Sequence, residues 1–360
     1  MTNDNWKSVT SSNTFRSARV LLTLVICHLS FVISTRAQTV ANYSGEFLQL
    51  GVGARSLALG GAGAAISEDA TAGYWNAAGL GALTFPMVTA MHESRFDGTV
   101  QYNYGALAVP LDARTTAGLS ILHIGISGIL DTRNALVDAN LNGQLDPTEY
   151  LDYNKVSQFS NYDWVALLSF ARAVDPTLSW GVNAKIVYRR LDPQTTASGL
   201  GFDLAARYKP WDALTLGAVA QDITTTLLSY STGRKELVSP TLKLGAAYTW
   251  QITADGAHRL MPTLDADLRF ESRGSIAQVH AGPISADLHE GLEYQFKNLF
   301  ALRGGYNDMN MWSVGAGISF SKLHIDYAYL GFNGQDQLGA THRVSLSFLL
   351  DQPKWKRKGE

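Results

Sequence analysis

The chain has 360 residues and nearly balanced charge, with 29 Lys and Arg against 31 Asp and Glu. Hydrophobic residues reach 46% while charged residues stop at 17%, below the roughly 25% of an average soluble domain. This excludes intrinsic disorder, leaves no basic excess to neutralise nucleic-acid phosphates, and, with a single Cys, rules out a disulfide scaffold or a Cys-based zinc site.

Residues 1–37 read as a secretory signal peptide. Lys7, Arg16 and Arg19 form the basic start, 20–33 the apolar core, and Ala37 a small residue before Gln38. An apolar core of about 14 residues is too short for a transmembrane helix, which needs about 20. A lipoprotein signal at Cys27 is disfavoured because Ile26 stands where a small residue is needed. Removing the leader takes away Lys7, Arg16, Arg19, Arg36 and Asp4, leaving 25 basic against 30 acidic residues. It also removes the only Cys, which suits an oxidising compartment. No later stretch approaches about 18 continuous apolar residues. An exported, charge-poor chain without spanning helices points to an outer-membrane β-barrel.

Residues 38–83 do not read as a strand. They carry Phe47, Gly51, Gly53, Arg55, Gly60, Gly61, Asp69, Trp75, Asn76, Gly79 and Leu80 among many Ala and Gly. Small residues permit close backbone packing. The block therefore fits a hatch inside a barrel or across its periplasmic mouth; the alternative is a Gly-rich early strand pair.

From 84 to 350 the grammar is alternation at period two. Leu264, Ala266, Leu268 and Phe270 oppose Asp265, Asp267 and Arg269; Phe202, Leu204, Ala206 and Tyr208 oppose Asp203 and Arg207. Fourteen strands are expected, at 84–94, 98–110, 114–126, 160–174, 177–191, 197–210, 213–222, 238–251, 259–271, 287–297, 299–307, 311–320, 322–331 and 340–350. The fold class is all-β: a transmembrane antiparallel barrel of about 14 strands, an even count. Every second connection is short, and the long ones (127–159, 223–237, 272–286, 332–339) belong outside the cell. Lys185, Arg189, Arg207 and Arg269 should face the lumen and pair with Asp203, Asp265, Asp267 and Glu293, since unpaired charges there are costly. A lumen lined mainly by charge argues mildly against an apolar conduit. His258 and His289-Glu290 are expected near strand ends or turns. The basic tail 351–360 reads as solvated periplasmic chain.

The first long connection, 127–159, holds a chemical motif. Asp138, Asn140, Asn142, Gln144, Asp146 and Glu149 occupy positions one, three, five, seven, nine and twelve of an EF-hand calcium loop, with Gly143 at six. Such hard oxygen ligands suit Ca²⁺ in a structural role, ordering a long loop. The plainer reading is a turn rich in Asn, Asp and Gly. Neither a Gly-x-Ser-x-Gly elbow nor a Walker loop occurs, and no enzymatic activity is expected.

Phe47-Leu48, Gly51-Val52-Gly53-Ala54-Arg55, Gly60-Gly61-Ala62, Asp69 and Trp75-Asn76-Ala77-Ala78-Gly79-Leu80 resemble the PorV/PorQ family of FadL-like outer-membrane barrels. Ala77 stands where that family usually has Pro. The resemblance implies a FadL-like barrel with an N-terminal hatch. It implies a role in type IX secretion, receiving cargo through C-terminal signal domains and passing it to a sortase-like surface complex. The relation to FadL implies the alternative, uptake of hydrophobic small molecules.

Overall fold

The structure, a computed structural model, describes residues 45–95, 98–271, 273, 277–332 and 341–357; the expected leader lies outside them. Fourteen strands make the wall: β1 Met87–Arg95, β2 Val100–Pro110, β3 Thr115–Asp131, β4 Ser157–Ala173, β5 Leu178–Arg190, β6 Thr196–Trp211 and β7 Leu214–Gln221. They continue as β8 Thr241–Tyr248, β9 His258–Arg269, β10 Ile284–Phe296, β11 Phe300–Tyr306, β12 Met311–Phe320, β13 Leu323–Phe332 and β14 Thr341–Leu349. Each strand pairs antiparallel with its sequence neighbours. β14 returns to β1, with Met87 opposite Leu349 and Ser94 opposite His342, so the barrel closes and no edge is left.

The alternation has its physical cause in the two media. On β5, Trp180, Val182, Ile186 and Tyr188 point outward with 36–49% of their surface accessible, while Ser179, Asn183, Lys185 and Val187 point inward at 7% or less. Apolar side chains face lipid and polar ones the filled lumen, the reverse of a soluble sandwich.

The strands match the expected set one for one, with differences above the membrane. β3 and β4 are 17 residues each, so the connection between them is 132–156 and not 127–159. A register shift between Ile126 and Ile129, where Gly128 has φ 74°, bends β3 at this height. The eighth strand starts at Thr241 and not at 238, because the chain first makes a hairpin, Thr226–Tyr230 with Lys235–Val238, that extends β6 outward. His289 and Glu290 lie in the middle of β10, not at its end. Their neighbours Leu288 and Leu292 continue the alternation, which the local His-Glu pair conceals in sequence.

Residues 45–83 fold inside this wall as short helical pieces: turns at Glu46–Gln49 and Ala77–Ala82, α1 Ala54–Ala58 and α2 Ala72–Trp75. Glycines on the wall receive them. A Cβ at Gly291 would sit 2.7 Å from Leu59 Cβ, and one at Gly181 would sit 2.6 Å from the Ala77 carbonyl carbon. At Gly217 and Gly305 it would collide with the backbone of Ala64 and of Leu59–Gly60. The high glycine content is thus partly a set of notches that admit the hatch backbone.

Candidate functional site

The hatch is tied to the wall by side chains from both. Arg55 on α1 grips Glu293 of β10 through two bonds of 2.9 Å. Glu293 also accepts from Arg303 at 2.6 Å, and Arg303 reaches Asp326 at 2.6 Å. Asp265 accepts the Ala64 N–H at 2.7 Å, and Ser345 accepts the Ala54 N–H at 2.7 Å. Asn76 donates to the carbonyls of Ala64 (2.7 Å) and Ala206 (3.0 Å). Gly60 donates to Ser313 Oγ at 3.2 Å, and its carbonyl lies 2.9 Å from His289 Nδ1.

Other motif residues hold the hatch to itself. Trp75 donates to the Val52 carbonyl at 2.9 Å, and its ring lies against Gly51 and Gly63. Gly61 donates to the Ser56 carbonyl at 2.9 Å. Asp69 caps Thr71 through its N–H at 2.7 Å and its hydroxyl at 2.5 Å. Gly79 leaves room for the Ser67 carbonyl, and Gly53 donates to Met91 Sδ at 3.1 Å. Phe47 lies under the Arg189 guanidinium, 4.0 Å from ring centre to Cζ, and Leu80 is fully buried.

The luminal charges are paired, either between nearby strands or with the hatch. Lys185 meets Asp222 at 2.7 Å and Asp203 at 3.2 Å, Lys243 meets Asp267 at 2.5 Å, and Arg189 meets Asp163 at 2.8 Å. Arg207 pairs with Glu68 of the hatch, and Arg269 with Glu46 at 3.1 Å. Alternation fixes which face a charge occupies; it carries no information on what fills the space opposite. The residue that sequence reasoning missed altogether is Arg343. It is fully buried at the β14–β1 seam, pairs with Glu93, and donates to the carbonyls of Gly51 (2.8 Å) and Leu50 (3.2 Å). The tail is not wholly solvated either: Arg357 is buried and donates to the Gly81 carbonyl at 2.7 Å and to Thr116 Oγ1 at 2.5 Å.

A second correction concerns the lumen as a whole. Charge lines β5 through β14, whereas the inner face of β1 to β4 is mostly apolar, with Thr89, Glu93, Ser120, Asp163 and Ser169 among its inward side chains. Met87, Met91, Tyr102, Tyr104, Leu122, Val165, Leu167 and Val187 form one buried cluster with Leu48, Val52, Trp75 and Leu80 of the hatch. On β2, Tyr102, Tyr104, Ala106 and Ala108 point in while Gly105 and Leu107 point out. Both faces are uncharged there, so period two does not reveal which is luminal.

The hatch separates two spaces. Above it lies a cavity of about 320 Å³, floored by Leu50, Leu57, Trp75 and Met311 and rimmed by Arg95, Lys243, Arg269 and Arg273. Below it, on the side of the short turns, lie cavities of about 430 and 240 Å³ that share Arg55, Glu68, Glu293 and Gln295.

The loop motif folds as a tight turn outside the wall, closed at its base by Leu136–Val137 against Tyr150–Leu151. Asp138 accepts the N–H of Gly143 at 2.7 Å, and the amides of Asn140 and Asn142 reach Asp146 Oδ2 at 2.6 and 2.9 Å. Glu149 spans the loop, taking the N–H of Ala139 at 2.9 Å and of Asp146 at 3.1 Å. Gly143 has φ 74°, and the Gln144 N–H points at Asn142 Oδ1 at 2.7 Å. Among the described residues no three acidic, His or Cys side chains gather as a metal cluster; backbone N–H groups take the Asp138 and Glu149 carboxylates, and the Asn140 and Asn142 side-chain amides take that of Asp146. The Gly143 N–H holds the Asp138 carboxyl below the ordinary Asp range.

The wall, hatch and lumen define an outer-membrane barrel of the FadL-like fold, integral to the membrane and in contact with its lipid. No protein-family model and no curated protein sequence matches the chain. Among solved structures it is similar to TbuX, the toluene transporter of Ralstonia pickettii, at TM-score 0.53 and 13% identity, over 84% of this chain and 99% of that one. It is also similar to CymD, a monoaromatic hydrocarbon channel (TM-score 0.52, 14% identity, 84% and 99% covered). A FadL homologue of Pseudomonas aeruginosa gives 0.51 at 13% identity, with 82% and 98% covered. At such identities the likeness concerns the fold. These neighbours bear the names of transporters and channels; the PorV/PorQ resemblance rests on the hatch residues alone.

Proposed function

We infer that this barrel admits hydrophobic small molecules through the outer membrane, with the hatch as the gate. The observation that carries the reading is the apolar stretch on the inner face of β1 to β4, packed against Leu48, Val52 and Trp75 of the hatch, which a displaced hatch would uncover. A membrane pore for ions or sugars has no use for such a strip, whereas an apolar solute gains roughly 25 cal/mol for each Å² it buries there. The named activities of TbuX and CymD support the same class of cargo. Reception of secreted proteins, with C-terminal signal domains and a sortase-like partner, finds no comparable support in the geometry. Cells making this chain should take up labelled toluene several-fold faster than cells lacking it. Leu122→Glu with Val165→Glu should remove the gain, because each buries a charge in the strip. Equal uptake with and without the chain would refute the reading.

For the loop, we propose that Ca²⁺ binds at Asp138, Asn140, Asn142, Asp146 and Glu149, with the Gln144 carbonyl. The support is the complete twelve-position pattern and the inward turn of these side chains. The cation would replace the backbone N–H groups and side-chain amides as partner of the carboxylates. Calcium at millimolar concentration should protect 138–149 from proteolysis. Asp138 is held ionised below the usual Asp range, so its contribution to loop order is complete at neutral pH. That contribution should disappear only as the pH falls below the ordinary carboxylate range. Unchanged cleavage at millimolar calcium would sink the proposal.

A further inference from the structure

The apolar inner face of β2 to β4 carries hydroxyls at an even spacing. Tyr102 and Tyr104 stand on β2, Ser120 on β3 and Ser169 on β4, and each is buried and points inward. The register sets Ser120 level with Ala106 and, through Gly118, Ser169 level with Ala108. Each of these residues therefore lies two positions below the one before, and together they span about 20 Å along the strands. The first is close to the upper cavity: Tyr102 pairs with Glu93, and Arg95, two residues higher on β1, lines the cavity rim. The last is close to the short turns, since β4 begins there at Ala173.

The two end members have no hydrogen-bond partner. The hydroxyls of Tyr102 and Ser169 are buried and meet no donor or acceptor among the described residues. The middle two are joined: Tyr104 Oη lies 2.9 Å from Ser120 Oγ, and Tyr104 also donates to the Ala70 carbonyl at 3.3 Å. The hatch crosses the row with bare backbone, for an added Cβ at Gly73 would stand 2.9 Å from both Ser120 Oγ and Ser169 Oγ. A buried hydroxyl left unpaired costs stability in the closed barrel. Phe at 102 and Ala at 169 would fill the same space without that cost, so packing alone does not account for the two oxygens.

Charge narrows what could meet them. The cations that border the strip already hold carboxylates: Arg343 and Arg95 meet Glu93, and Arg189 meets Asp163. An acidic solute would have to compete with Glu93 and Asp163 for them, and a charge buried without a partner is costly. A neutral hydroxyl both donates and accepts, as the Tyr and Ser hydroxyls do. Its apolar body would pack on Leu122, Val165 and Leu167 between the polar stations.

The geometry points to apolar solutes bearing a neutral hydroxyl, such as alkylphenols, as the preferred cargo, handed from Tyr102 down to Ser169 once the hatch moves aside. Tyr102 and Ser169 are then the residues that set the preference. The inference rests on the reading of the barrel as a route for hydrophobic small molecules and adds selectivity to it.

A pair of solutes differing by one hydroxyl tests it. Uptake of labelled para-butylphenol and butylbenzene by cells making the chain, less that of cells lacking it, should give the lower KM for para-butylphenol. Tyr102→Phe and Ser169→Ala should each shift the ratio of the two KM values toward butylbenzene by about three- to tenfold, the worth of one net hydrogen bond. The ratio separates recognition from folding, because a variant that inserts poorly lowers uptake of both solutes alike. Butylbenzene uptake with an unchanged ratio in both variants would overturn the selectivity and leave the transport reading standing. Uptake of neither solute would refute both. A preference for para-butylbenzoate over para-butylphenol would overturn the selectivity as well, by showing that a carboxylate finds its cation in the strip.

Discussion

Valine in place of Gly305 should expel the hatch and leave the wall standing. Gly305 faces the lumen from β11, where a Cβ would run into the Gly60 N–H and the Leu59 backbone. Its own backbone is ordinary strand, and valine is a good strand former. Gly60 has no room to retreat: its φ is 69°, and the carbonyls of Tyr306 and Glu290 close the space around it. The overlap involves backbone on both sides, so the cost exceeds the ~1–3 kcal/mol of ordinary overpacking. Planar bilayers should therefore record steady ion conductance for Gly305→Val where the unaltered chain is silent. Gly304→Val is the control, since that neighbour faces lipid and meets nothing closer than 3.9 Å. Silence of Gly305→Val would mean that the hatch tolerates displacement without opening.

Arg343→Met should cause the largest loss of stability from a single side chain. Arg343 is buried at the β14–β1 seam, with Glu93 and the carbonyls of Gly51 and Leu50 as partners. Removing one partner of a buried pair costs about 3–5 kcal/mol, because the other charge stays behind. Arg95 still reaches Glu93, which places the expected loss near about 3 kcal/mol. Reversible unfolding in urea with lipid vesicles measures it. Arg343→Met with Glu93→Leu should recover part of the loss, since no carboxylate is left stranded at the seam, while Arg95 loses this partner but keeps 16% of its side-chain surface accessible. Equal loss in the single and double variants would show that the carbonyl bonds to the hatch, and not the ion pair, carry the effect.

Most of the wall was legible in the sequence because lipid and lumen demand opposite side chains at every step. Leu264 through Phe270 alternate without error, and the strand there follows. The signal fails where both faces have one polarity, as at Tyr102 to Ala108 on β2, so the apolar half of the lumen was read as charged. Local pattern also misled at His289-Glu290, where one polar side chain points in and its neighbour points at lipid. The hatch could be recognised as non-strand from Gly and Ala, but its partners could not. Arg55 with Glu293 and Arg207 with Glu68 join residues more than a hundred positions apart. Wall glycines such as Gly217 and Gly291 explain part of the unusual composition, yet only the docked hatch shows what they accommodate.

The gate is tested most directly by locking it. Ala54 and Ser345 touch through a hydrogen bond of 2.7 Å between hatch and wall. Cysteines at both positions, with Cys27→Ser, allow a disulfide to fix the hatch in place. Toluene uptake by cells carrying this variant should fall to the level of cells without the chain when oxidised, and return on reduction. Uptake that continues at full rate with the hatch covalently held would contradict passage through the hatch.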